Sequence, residues 1–113
     1  MIINDLIKKL NLKVFNKNAD LKLEVKGGFA GDLLSHVMGN SSEGQVWITV
    51  QTHKNVLAIA SLNDLSAVVL IDNQQPDAKM LEAAEEEGIP VLGSDKTAFE
   101  LSGELYECLK MNP

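Results

Sequence analysis

Asp32 and His36 lie four residues apart, the spacing that places two side chains on one face of a helix. A carboxylate beside an imidazole is the material of an acid–base pair or of half a metal site, but two ligands do not hold a metal. An exposed ion pair is the simpler reading, and no metal is expected. His53 stands at the head of a predicted helix, where the dipole disfavours its protonated form. A neutral ring there donates either to a ligand or to a neighbouring carbonyl. Three polar segments carry most of the remaining hydrogen-bonding chemistry: Gln51–Asn55, Asp72–Gln75 and Gly93–Thr97. Each leads into a predicted helix, whose free N–H groups favour an anion. Two readings stand side by side, a ligand pocket or plain helix capping by Thr52, Ser94 and Thr97. Cys108 has only Lys110 as a cationic neighbour in sequence and reads as packing. Glu85–Glu87 reads as a solvated helix face. No nucleophile–base arrangement assembles from these residues, and no catalytic residue is assigned.

The elements that must position these groups follow from hydrophobic period. Ile2, Ile3, Leu6, Ile7 and Leu10 mark a short amphipathic helix, and Leu12–Phe15 and Leu21–Val25 alternate as half-buried strands. Gly27-Gly28 reads as a turn, or as a place where backbone approaches a ligand, before a helix running through Ala30, Leu33, Leu34, Val37 and Met38 to a Gly39 cap. Val46–Val50, Ala67–Ile71 and Ile89–Leu92 read as strands, the middle one so continuously apolar that both its faces must be buried. Between them lie a helix with Thr52 as N-cap and a helix opened by Pro76 and closed by Gly88. A last helix begins with the capping-box pair Thr97 and Glu100, its apolar positions Phe99, Leu101, Leu105, Tyr106 and Leu109. Strand and helix alternate from Val46 onward. That order predicts an α/β fold of three layers, a mostly parallel central sheet with helices on both faces, spanning residues 1–113 as one domain.

Composition narrows the function classes. The 113 residues are 45% hydrophobic with a net charge of −6, and all ten basic residues are Lys. Without Arg, and with an acidic balance, the chain lacks the means to neutralise a phosphate backbone, so no nucleic-acid partner is expected. Met1–Leu10 has no continuous apolar stretch of the signal-peptide kind and no later run reaches membrane-spanning length. The expectation is a cytoplasmic protein with no membrane partner. A lone cysteine provides neither a disulfide nor a CxxC site, and no cofactor is expected.

The run from Lys26 through Gly-Gly-Phe-Ala-Gly-Asp-Leu-Leu-Ser-His-Val-Met-Gly, followed by Trp-Ile-Thr-Val-Gln-Thr-His-Lys-Asn, resembles the DRTGG-domain family. So does the later Gln75-Pro-Asp…Glu-Glu-Glu-Gly-Ile-Pro-Val-Leu…Thr-Ala-Phe-Glu-Leu-Ser-Gly. The similarity extends over nearly the whole chain and is closest to small stand-alone members found beside iron-only hydrogenase genes. It implies a three-layer domain similar to the amino-terminal domain of HPr kinase/phosphorylase, whose phosphate-binding loop lies in a separate domain, so kinase activity is not implied. In larger members the domain is an accessory unit with a regulatory or dimer-forming role. His53-Lys54-Asn55 stands where the family has Asp-Arg-Thr, and the Gly-Gly expected after the buried strand is replaced near Asp72-Asn73.

These readings converge on a non-catalytic regulatory or ligand-binding domain, with hydrogenase or energy metabolism as its setting. The alternatives are a small enzyme acting on a carboxylate or phosphorylated metabolite and a purely structural module. A ligand, a small-molecule anion in particular, is expected among Thr52, His53, Asn55, Asn73, Ser94 and Thr97, with Gly27 and Gly28 as further candidates. An enzyme partner and a homodimer are also expected, the dimer burying part of the Val56–Leu62 helix or its neighbours because that helix lacks a wide polar face; the alternative is that the amino-terminal helix and strands enclose it.

Overall fold

The computed structural model describes residues 1–111. In chain order the elements are α1 (Ile3–Leu10), β1 (Lys13–Val14), β2 (Gly27–Ala30), α2 (Leu34–Asn40), β3 (Gln45–Thr49) and α3 (Asn55–Leu62). They continue with β4 (Ala67–Leu70), α4 (Ala78–Glu87), β5 (Val91–Gly93) and α5 (Ala98–Met111). The sheet runs β1-β5-β4-β3-β2. Strands β2 to β5 are mutually parallel and β1 is an antiparallel edge on β5. The α/β class and the three-layer, mostly parallel architecture are as expected.

Alternation along the strands splits the interior in two. Val46, Ile48, Ala67, Val69 and Leu92 point to one face, where Ile3, Leu6 and Leu10 of α1 and Leu101 and Leu105 of α5 cover them. Trp47, Val68, Leu70 and Val91 point to the other, under Val37 of α2, Val56 and Leu57 of α3 and Met80 and Ala84 of α4. The middle strand is buried on both faces throughout, which is what a continuous apolar run requires. Trp47 is fully buried and its Nε1–H donates to the Gly31 carbonyl at 2.8 Å.

Several local expectations are corrected. Leu21–Val25 adds no strand to the sheet. Its carbonyls instead accept from Ile3 N–H and Asn4 N–H at the start of α1, while Val25 N–H donates to Met1. The segment satisfies helix N-terminal donors that have no intrahelical partner. Gly27-Gly28 is not a turn but the start of edge strand β2, drawn into register with Gln45 and Val46. The helix expected from Ala30 therefore begins only at Leu34, runs through Gly39 and ends against Ser41. Thr52 is not an N-cap: α3 starts at Asn55 with Lys54 at its cap and no side-chain capping bond. Pro76 precedes Asp77, which is the N-cap of α4.

Of the surfaces expected to meet a second copy, the Val56–Leu62 helix is the one that the chain itself closes off. Val56, Leu57, Ile59 and Ala60 are buried within the chain's own fold, between α2, α4 and the sheet. Its neighbours cover it from both sides, so it offers a second copy little apolar surface beyond Leu62.

Candidate functional site

Three crossovers place the ends of β3, β4 and β5 at one edge of the sheet, each followed by a helix N-terminus. This carboxyl edge is where open α/β sheets bind ligands. Around it the expected residues form separate groups rather than one constellation.

Asn73 and Ser94 do meet. The Asn73 N–H donates to the Ser94 carbonyl at 2.9 Å, and the buried Ser94 hydroxyl accepts from the Lys96 N–H at 3.1 Å. They line a hollow of about 150 Å³ together with Asn11, Lys13, Phe15 and Gln75. Pockets for drug-sized ligands hold roughly 300–1,000 Å³, so the hollow alone takes only a few heavy atoms. Lys13 supplies its cation, 5.0 Å from the centre of the Phe15 ring. Asn11, Lys13 and Phe15 escaped sequence reasoning because they lie far before Asn73 in the chain and arrive by the antiparallel pairing of β1 with β5. One signal was present: Gly93 ends a strand. A Cβ there would lie 2.6 Å from the Phe15 ring, so glycine admits the aromatic against the strand backbone.

Asp72 and Asn73 both have left-handed backbone, with φ of 54° and 58°. Glycine adopts this region freely and Asn and Asp are the side chains that tolerate it best. The change from the family's Gly-Gly therefore keeps a backbone path that glycines would take.

Thr52 and His53 gather instead at the head of α4. The Thr52 carbonyl accepts from Asp77 N–H, and His53 Nδ1 lies 3.1 Å from Asp77 Oδ2. A carboxylate only accepts, so Nδ1 carries the proton in that pair and Nε2 faces solvent. Asp77 Oδ1 also accepts from Met80 N–H at 2.7 Å. That backbone donor first, and His53 second, hold the Asp77 carboxyl below the usual carboxylate range. Thr97 forms the anticipated capping box: its hydroxyl accepts from Glu100 N–H at 3.2 Å and its own N–H donates to the Glu100 carboxylate at 3.1 Å. Those Thr97 bonds lower the Glu100 pKa. The N-termini of α4 and α5 are thus already occupied by the chain's own carboxylates, which any external anion must displace. Asn55 opens α3 and is exposed.

Gly27 and Gly28 lie at the opposite, amino-terminal end of the sheet. Gly28 serves packing: a Cβ there would sit 2.7 Å from Leu105 Cδ2. Asp32 and His36 do not pair. Asp32 Oδ1 accepts from the Thr49 hydroxyl at 2.8 Å and from Val50 N–H at 2.9 Å, whereas His36 Nδ1 lies 3.2 Å from Asn40 Nδ2. Cys108 is half-buried with its Sγ 4.0 Å from Met1 Sδ. Glu85 is more than a solvated face. Its carboxylate accepts from Asn18 N–H at 2.7 Å and Lys17 N–H at 3.1 Å, which lowers its pKa. Among the described residues no three His, Cys, Asp or Glu gather at metal-binding distance, and no helix is long and apolar enough to cross a membrane.

No curated protein matches the chain. Among solved structures it is similar to the CBS and DRTGG domains of the regulatory region of Clostridium perfringens pyrophosphatase, determined in complex with the activator diadenosine tetraphosphate. The TM-score is 0.73 at 16% identity, over 92% of this chain and 45% of that one, so this chain spans under half the length of that structure. The likeness confirms the fold. A family model described as the HPr serine kinase N terminus matches residues 48–109, from β3 through most of α5. On that match the chain belongs to the family of HPr serine kinase amino-terminal domains.

Proposed function

We propose that residues 1–113 form one DRTGG-like domain that regulates a partner enzyme, seating a ligand or partner group at the carboxyl edge of the sheet. The observation that carries this reading is a fold shared with domains of a regulatory region that was crystallised with its activator. The hollow around Asn73 and Ser94 is the place we assign; Lys13 is its cation, and Asp95 on the same lining is the carboxylate that a bound anion must keep clear of. Its volume suits a carboxylate or one phosphoryl group, so a dinucleotide would need further surface from a second molecule. By resemblance the partner enzyme belongs to hydrogenase or energy metabolism and the domain works as a homodimer; the composition points to the cytoplasm as the setting.

Chemical-shift mapping of the full chain against acetate, phosphate, mononucleotides and diadenosine tetraphosphate tests the placement. Shifts are expected at Lys13, Asn73 and Ser94. Shifts confined to Gly27, Gly28 and Gly44, or none with any of the panel, would refute it. A second reading, a small enzyme acting on a carboxylate or phosphorylated metabolite, draws support from the His53–Asp77 pair, in which an oriented imidazole presents Nε2 to solvent. Turnover of a panel member that His53→Gln abolishes would favour that reading over the first.

A further inference from the structure

Helix α5 buries Leu101 and Leu105 against the sheet, yet Phe99 is 89% exposed and Tyr106 65% exposed. Phe99, Gly103, Tyr106 and Lys110 follow one another at spacings of four, three and four. That is the seam spacing by which two helices pack along their length. Packing within the chain does not call for glycine at position 103: a Cβ there would meet nothing within 4 Å. A glycine inside a helix costs about 1 kcal/mol relative to alanine, so its presence on an outward face points to something that approaches from outside.

We propose that this seam pairs with the same seam of a second copy, antiparallel across a two-fold axis. Antiparallel pairing that sets Gly103 opposite Tyr106 also sets Phe99 opposite Lys110. Each tyrosine ring then lies where the other copy has no side chain, and each Lys110 ammonium reaches a Phe99 ring. The seam is thus complementary to itself in size and in charge, and both contacts occur twice. Lys110 already keeps such company, its Nζ lying 5.7 Å from the centre of the Tyr106 ring. A cation over an aromatic face is worth roughly 0.5–1 kcal/mol at exposed sites. Aromatic side chains bury about 150–250 Å² each. Four of them at the observed exposures give on the order of 600 Å², about half of the roughly 1,200 Å² at the low end of stable interfaces. The acidic flank opposes this: Glu100 and Glu107 of both copies meet on one side of the seam. Together these set a modest affinity that added salt strengthens.

The inference rests on the homodimer proposed above and adds its face. Sedimentation equilibrium of the full chain from low to high micromolar concentration tests it, with two variants. Gly103→Gln fills the seat of the tyrosine while improving helix propensity, so it is expected to weaken dimerisation at least tenfold and to leave the fold intact. Phe99→Ala removes an exposed ring and is expected to weaken dimerisation similarly. A dimer that neither variant weakens would overturn the α5 face and leave dimerisation standing. A wild-type chain that stays monomeric throughout overturns both, and binding of α5 only to a different protein does the same.

Discussion

Asn16 lies in the chain's only buried amide knot among the described residues, and replacing it with Asp tests how much that knot holds. Its Nδ2 donates to the carbonyls of Asn18 at 2.8 Å, Ile89 at 2.9 Å and Ala84 at 3.3 Å, and its Oδ1 accepts from Val91 N–H at 2.9 Å. One side chain thus joins the loop after β1, the end of α4 and the start of β5. Asn16→Asp keeps the acceptor for Val91 but turns the donor into an oxygen facing three carbonyls. The Ala84 carbonyl still receives Gly88 N–H, and Asn18 is near solvent, so Ile89 loses most. An unmet buried polar group costs about 1–3 kcal/mol, and burying a charge beside carbonyls adds to it, for a loss on the order of 3–5 kcal/mol. The pH signature is specific. Burial and the carbonyls raise the new carboxyl's pKa above its unfolded value of about 3.9, so the penalty is full at neutral pH and fades as pH falls through the raised value. Urea unfolding followed by the fluorescence of buried Trp47 reads both quantities. A penalty below about 0.5 kcal/mol at pH 7, within the spread of ordinary surface substitutions, or one that does not shrink between pH 7 and pH 5, would show the reasoning to be wrong.

Other substitutions probe other features. Gly93→Ala is expected to displace the Phe15 ring and cost about 1–3 kcal/mol; loss of Phe15 contacts to β5 in amide or aromatic NMR spectra checks the cause. Asn73→Ala is expected to destabilise by about 1 kcal/mol while Asn73→Gly stays near wild type, because only the former meets the left-handed backbone with an intolerant side chain. Equal losses in thermal melts would contradict that. The depressed carboxyls of Asp77, Glu85 and Glu100 contribute stability that is complete above their unfolded values of about 4 and is lost as pH drops through their lower folded values. Melting temperature should therefore hold between about pH 7 and 5 and fall below about 4; Glu85→Gln should blunt the fall, and an unchanged acid limb would count against the Glu85 bonds.

The central strands were legible because burial on two faces leaves a signal that needs no partner to read, as in Ala67–Ile71. Caps with two residues in fixed spacing were legible for the same reason, as in Thr97 and Glu100. What could not be read depends on distant pairing. Gly27–Ala30 has no side-chain pattern of a strand, and only alignment with Gln45–Ile48 makes it one. Leu21–Val25 alternates correctly yet spends its backbone on the start of α1. The apolar helix Val56–Leu62 announces burial without saying what buries it, and the chain itself does so. At the candidate site the loops were found from strand order, but which residues share a hollow depended on β1 arriving beside β5.

That arrival has a kinetic consequence. Lys13 pairs with Gly93 and α1 packs on α5, so the first and last elements of the described chain close the same layer. During synthesis the amino-terminal residues leave the ribosome long before their partners exist. The cover that Leu101 and Leu105 give Ile3, Leu6 and Leu10 arrives only when α5 emerges. Non-local closure of this kind slows folding and prolongs exposure of sticky surface. A nascent chain halted before α5 should accordingly bind a hydrophobic-surface chaperone, and release it once the last helix is made.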